Sequence, residues 1–248
     1  MPSIFLSPST QYYNTYVIGG NERYYTNLIA DAMIPYLRAS GISYSRNDPN
    51  GTVATSVALS NAGNYDLHLA IHSNAAPEYL AGQLNGPDIY YYPGSSAGAY
   101  FAGLIAAEMR QIYPRPQDVQ VLASSSLYEI RQVRAPAVLV EVAYHDNVAD
   151  AQWIVSHIDE IARALAGATA AYFGLPLIEP VRPAQYGTVV TGGGNLNIRS
   201  YPSYTAPILG SAPNGAQLVI NGRSGDWYSV AFNGLIGFAN GAFIISAS

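Results

Sequence analysis

No cysteine occurs among the 248 residues, which excludes disulfide bonds, thiolate catalysis and cysteine-ligated metal sites. Charge is also scarce. Only 11% of the residues are charged and the formal net charge is −5. A nucleic-acid surface needs a basic patch or stripe, so no nucleic-acid partner is expected. No apolar run approaches the roughly 18 residues of a membrane span, and no membrane insertion is expected. The opening Met1-Pro2-Ser3-Ile4-Phe5-Leu6 has neither a basic segment nor a long apolar core. It reads as entry into a strand, with no signal peptide visible.

What is present supports a packed, two-part chain. The hydrophobic fraction is 49%, enough for a core and far from the composition of disorder. Twenty-one tyrosines suit both β-sheet surfaces and the faces of sugars. Apolar runs at Ile4–Leu6, Leu67–His72, Ile89–Tyr92 and Ala137–Val142 predict strands. Between them, helical spacing predicts helices after Asn21, over Ala54–Asn61, over Ala97–Gln111 and, as one long helix, over Ala149–Tyr172. Asn21 suits an N-cap with Glu22 in the first turn, and Gly41 suits the C-terminal end. Strands alternating with helices predict an α/β domain, a mostly parallel sheet flanked by helices, over residues 1–174. Proline-rich residues 175–186 read as a linker. Short strands with Gly and Asn turns over residues 187–248 predict a small all-β barrel.

Two residues stand out in the first domain. His72 ends an apolar strand in Ile71-His72-Ser73-Asn74-Ala75. Glu141 interrupts the apolar run Ala137-Val138-Leu139-Val140-Glu141-Val142, where a carboxylate is costly to bury without a partner. Both lie at the carboxyl ends of strands, where ligands of such sheets gather. With Glu22 they offer nitrogen and oxygen donors suited to zinc, which in a catalytic site takes three protein ligands and leaves one position open.

The His72 block, followed by Arg134-Ala135-Pro136-Ala137-Val138-Leu139-Val140-Glu141-Val142-Ala143-Tyr144-His145-Asp146-Asn147, resembles two signature blocks of zinc-dependent N-acetylmuramoyl-L-alanine amidases, over roughly Ile4 to Gly174. The resemblance implies a Zn2+ cofactor, Glu22 and His72 as metal ligands, and Glu141 as general base. It also implies cleavage of the amide between the lactyl group of N-acetylmuramic acid and L-alanine of the peptidoglycan stem peptide. The family usually places a further histidine ligand after the first strand, where this chain has Ser7-Pro8-Ser9-Thr10-Gln11. Gln11 is the first candidate for that role, then His145, then His68. Asn74, Arg131 and His145 are candidates to meet substrate.

In the C-terminal part, Leu196-Asn197-Ile198-Arg199-Ser200-Tyr201-Pro202-Ser203 and Gly225-Asp226-Trp227-Tyr228-Ser229-Val230 resemble bacterial SH3-like domains. That resemblance implies cell-wall binding, with Arg199, Tyr201, Trp227 and Tyr228 as candidate contacts; core packing is the competing role for Trp227. A monomer acting at the bacterial cell wall is expected. A catalytically impaired amidase that only binds the wall, or a zinc peptidase cutting within the stem, are the alternatives.

Overall fold

The computed structural model describes residues 1–246. In chain order the elements are β1 (Ser3–Pro8), α1 (Glu22–Ala39), β2 (Ser43–Arg46), α2 (Val53–Ala62), β3 (Leu67–Asn74), β4 (Asp88–Tyr91), α3 (Ser96–Ile112), β5 (Gln120–Ala123), α4 (Tyr128–Gln132), β6 (Ala137–Tyr144), α5 (Val148–Ser156) and α6 (Ile158–Tyr172). The remaining strands are β7 (Pro180–Val189), β8 (Leu196–Arg199), β9 (Ile208–Ala212), β10 (Gln217–Ser224), β11 (Trp227–Phe232), β12 (Leu235–Asn240) and β13 (Ile244–Ser246). Contacts divide the chain into two units. One is Ser3–Met33 with Tyr44–Tyr172; the other holds Met1–Pro2, Ile34–Ser43 and the chain from Phe173 onward.

The first unit is built on a six-stranded sheet in the order β2-β1-β3-β6-β4-β5. β1 and β3, β3 and β6, and β4 and β5 run parallel, whereas β4 and β6 are antiparallel. The central strands are buried on both sides, which is why they read as continuous apolar runs rather than as alternating ones. In β6 the one residue not buried is Glu141. The β3–β6 ladder pairs His72 with Glu141 and then Asn74 with Tyr144, so β6 carries one extra residue there, a bulge at the rim of the sheet.

Helix α1 follows its expected signals. The Asn21 side chain accepts from the Tyr24 amide at 2.9 Å. Gly41 has φ +76°, with Gly41 N donating to Arg38 O and Ile42 N to Leu37 O, the paired bonds of a Schellman end. The long helix expected over Ala149–Tyr172 is instead two, α5 and α6. The break is at His157, whose backbone leaves the helical region at φ −124° and whose Nδ1 lies 2.9 Å from Trp153 O. The ring thereby satisfies a carbonyl at the end of α5.

The second unit contains an antiparallel sheet in the order β13-β7-β10-β11-β12-β8-β9 around Val189, Leu196, Ile198, Leu218, Ile220 and Val230. Strand β7 starts within the residues expected to be a linker, because Pro180 pairs with Gly222 beyond a bulge in β10. A separate cluster joins Ala39, Ile178, Trp227 and Phe238.

Candidate active site

The parallel ladders place a set of chemically active residues on one face of the first sheet. Register partners in neighbouring strands project the same way, and alternate residues share a face. Phe5 and Ser7 on β1 are opposite His68 and Ala70 on β3. His68 and His72 are in turn opposite Ala137 and Glu141 on β6. Ser7, His68, His72 and Glu141 therefore face one way. Helix α4 covers part of this face, packing Ile130 against Ala70, Ala137 and Leu139, and carries Glu129 inward.

The loop between β1 and α1 folds back over the start of that helix. Glu22 N donates to Asn14 O and Arg23 N donates to Gln11 O, which satisfies amides that a first helical turn leaves free. This brings Gln11, Glu22 and His72 together. His72 Nδ1 lies 2.8 Å from Glu22 Oε1 and 3.5 Å from the Gln11 amide nitrogen. Asn14 Nδ2 donates to both Gln11 Oε1 and Glu22 Oε2, at 3.2 and 2.5 Å. Gln11, the first candidate from the sequence for a third ligand, thus lies beside His72 and Glu22. Its Oε1 also accepts from Tyr13 Oη at 3.1 Å, so the amide presents its nitrogen to the ring and its oxygen to Asn14 and Tyr13.

The other ring nitrogen, His72 Nε2, faces Glu129 Oε2 at 3.5 Å. Glu129 is buried. Its Oε1 accepts from Ser7 Oγ at 2.5 Å and lies 3.1 Å from His68 Nε2, while His68 Nδ1 is 2.9 Å from Ser60 Oγ.

Electrostatics follow from these contacts. Burial opposes ionisation of the Glu129 carboxyl, yet the rings of His68 and His72 hold it down at about 2. Burial alone would lower the His72 ring, but Glu129 and Glu22 outweigh it and hold it well above its ordinary value. Glu22 is likewise lowered, its burial outweighed by His72, Asn14 and Ser9. Glu141 behaves differently. Burial pushes it up to about 7; His72 opposes the shift, and the carboxylates of Glu22 and Asp88 add to it. Its Oε2 is buried without a hydrogen-bond partner. Asp88 stands opposite Glu141 on β4 and accepts from Tyr144 Oη at 3.0 Å and Asn74 Nδ2 at 3.1 Å.

A cleft of about 490 Å³ opens beside this cluster, lined by Gln11, His72, Glu129 and Glu141 among others. Its arginine is Arg23, held over the Tyr12 ring at 5.3 Å with Nη1 donating to Asn50 Oδ1 at 3.1 Å. Arg131 is exposed on α4 and does not line the cleft. Asn74 is engaged with Asp88. His145 is buried, its Nδ1 2.9 Å from Ser73 O and its ring stacked on Tyr16, and it does not line the cleft. His68 is occupied by Ser60 and Glu129. Glu129, Asp88 and Arg23 were not among the residues singled out in the sequence.

Glu22 and His72 carry oxygen and nitrogen donors of the kinds that zinc accepts. Among the described residues no three His, Cys, Asp or Glu side chains form a metal cluster. Glu22 and Glu129 flank opposite nitrogens of one ring and cannot both reach one ion with it. Glu22, His72 and Gln11 do converge, with the Gln11 carbonyl oxygen turned to Asn14 and Tyr13.

Residues 12–171 match the family described as N-acetylmuramoyl-L-alanine amidase. The chain belongs to this amidase family. Residues 194–245 match a bacterial SH3 domain, so the amidase carries an SH3-like β domain at its C-terminal side. Its fold is shared with solved structures at low identity. The N-acetylmuramoyl-L-alanine amidase AmiC2 of Nostoc punctiforme is 17% identical over 70% of this chain and 97% of its own, with a TM-score of 0.63. Ami1 from Mycobacterium smegmatis is 16% identical over 70% and 97%, at 0.60. The catalytic domain of the CD27L endolysin targeting Clostridia difficile is 18% identical over 69% and 98%, at 0.57. No curated protein sequence matches the amidase.

In the SH3-like unit, Arg199 and Trp227 line a second cavity of about 280 Å³ with Tyr204 and Phe243. Trp227 is buried against Phe238, and Tyr204 meets it edge-on at 4.9 Å. Arg199 Nη1 donates to Ala206 O at 2.8 Å. Tyr201 is exposed, and Tyr228 packs on the barrel core beneath Arg223.

Proposed function

We propose that the amidase hydrolyses the bond between the lactyl group of N-acetylmuramic acid and L-alanine of the stem peptide at the bacterial cell wall, using Zn2+ held by Glu22, His72 and Gln11. The observation that carries this reading is the convergence of those three side chains beside Glu141, whose buried Oε2 has no partner. When bound, zinc supplies Lewis acidity toward the amide carbonyl and lowers the pKa of water. Glu141 is suited to the proton work. A carboxyl raised to about 7 can accept a proton from water near neutral pH and return it to the leaving amine. Asp88 and the Tyr144 hydroxyl hold the wall of the site beside it. Arg23 is placed to meet a carboxylate of the stem peptide, the role first given to Arg131. The SH3-like unit would hold the enzyme on peptidoglycan, with Arg199, Trp227 and Tyr204 forming a cavity and Tyr201 exposed to solvent.

The test is wall lysis with product identification for the wild type and Glu141→Gln, each after chelation and after return of zinc. Free stem peptides beginning at L-alanine, dependent on zinc and lost in Glu141→Gln, support the reading. New amino termini within the stem would instead make it a peptidase. Wall binding without any release would make it a wall-binding protein on an amidase scaffold, a reading that the neutral Gln11 donor favours over other non-enzymatic roles.

A further inference from the structure

Glu129 is a buried carboxylate that the hydrolytic reading does not use. Burying a charge this deeply is tolerated only with close partners, and its partners here are Ser7, His68 and His72. The arrangement around His72 is two-sided. Nδ1 faces Glu22 and Gln11, and Nε2 faces Glu129. The 3.5 Å contact to Nε2 is long for a hydrogen bond. The carboxylate is nevertheless held in place, because Glu129's other oxygen is fixed by Ser7 at 2.5 Å and by His68 at 3.1 Å, and His68 is fixed in turn by Ser60 at 2.9 Å. A neutral imidazole carries its proton on one nitrogen and leaves the other as donor to a metal.

We propose that Glu129 is a positioning residue: with zinc bound it is the acceptor facing the Nε2–H of His72, fixes that tautomer and the ring's orientation, and so leaves Nδ1 to ligate the metal on the side of Glu22 and Gln11. His68 and Ser7 hold Glu129 in place for this task. The inference rests on the proposed role of His72 as a zinc ligand and extends it. A carboxylate behind a ligating imidazole raises its basicity, and loss of such a partner typically weakens metal affinity about 10–100-fold. The gain is greatest where another donor is weak, and here one donor is an uncharged amide.

The experiment is competition of the full chain against a chromophoric chelator for zinc, in the wild type, Glu129→Gln, Glu129→Asp, Ser7→Ala and Glu22→Ala, with circular dichroism on each. Nitrogen NMR of the zinc-loaded protein reports the His72 tautomer. We expect Glu129→Gln to remain folded and lose about 10–100-fold in zinc affinity. Glu129→Asp should recover part of the loss, Ser7→Ala should show a smaller one, and the wild-type spectrum should carry the proton on Nε2. Unchanged affinity in Glu129→Gln, or a wild-type proton on Nδ1, overturns the proposal while leaving His72 as a ligand. If Glu129→Gln does not fold, Ser7→Ala and the wild-type tautomer decide between the same outcomes. Failure of the underlying reading looks different: zinc affinity would then be no weaker in Glu22→Ala than in the wild type, and the inference about Glu129 would fall with it.

Discussion

His72 and Glu141 are direct register partners on the neighbouring parallel strands β3 and β6, so the imidazole and the carboxylate leave the sheet on the same face. The pairing makes their separation a property of the sheet rather than of a loop. Replacing Glu141 by Gln keeps the shape and removes the carboxylate proposed as the base. We expect turnover on cell walls to fall about 10²–10⁴-fold while zinc affinity stays within a few-fold of wild type. Steady-state lysis together with zinc competition checks both halves.

The raised Glu141 carboxyl has a consequence for stability in the metal-free protein. Its value is about 7 when folded against 4.5 as the ordinary value. Its contribution is therefore fully present below pH 4.5 and is lost as pH rises through 7, because the unfolded chain ionises first. Glu141→Gln lacks this loss. It should match the wild type at pH 4 and exceed it by on the order of 1–3 kcal/mol at pH 8. Denaturant titrations after chelation measure the difference; equal stabilities at pH 8 would show that Glu141 titrates normally.

Gln11 sits against Glu22 through the shared Asn14 amide, so its charge can be changed with little change of shape. Gln11→Glu should bind zinc more tightly, since a carboxylate is a stronger donor than an amide. It should also be less stable without metal, because two carboxylates then share one site. Gln11→Ala should bind more weakly. Thermal melts with and without zinc separate these effects.

Arg23 is expected to act on substrate rather than on folding. Losing a charge-assisted contact costs about 1.5–3 kcal/mol, so Arg23→Ala should raise KM for stem-peptide substrates roughly tenfold or more. The effect should shrink for substrates whose carboxylates are amidated. An equal effect on both substrates would remove Arg23 from carboxylate recognition.

Phe238 is fully buried among Ala39, Ile178 and Trp227. Truncating it to Ala should destabilise its unit by about 3–5 kcal/mol, read from the shift of the denaturation midpoint followed by tryptophan fluorescence.

Much of the frame was legible because it depends on strong local signals. β1, β3 and β6 are buried on both faces and read as apolar runs, and α1 has its cap, its first-turn carboxylate and its terminal glycine. Glu22, His72 and Glu141 are legible as candidates because each lies on such an element, and Gln11 because it follows β1 where the resemblance expects a ligand. Glu129 is not legible in this way. It lies on a single-turn helix of five residues, too short for a periodic pattern, and its partners come from β1 and β3, far away in sequence. Arg131, two positions on, is the α4 residue that the sequence offers, as a candidate to meet substrate. On a helix two residues are about 200° apart, so the geometry that turns Arg131 outward turns Glu129 in. The one available signal was Ile130 beside it, marking a buried side. Strand β5 gives a weaker signal: its apolar run Val121-Leu122-Ala123 is short and mostly exposed.

The bulge between the Glu141 and Tyr144 pairings divides β6 into stretches with different tolerance to changes of length. On the near side the frame with β3 is strict, and one residue inserted before Glu141 would turn it to the opposite face. On the far side the frame is already broken, so the chain leading to Asn147 and α5 can lengthen or shorten without moving the carboxylate. The carboxylate therefore keeps its place against His72 whatever the length of the chain beyond the bulge.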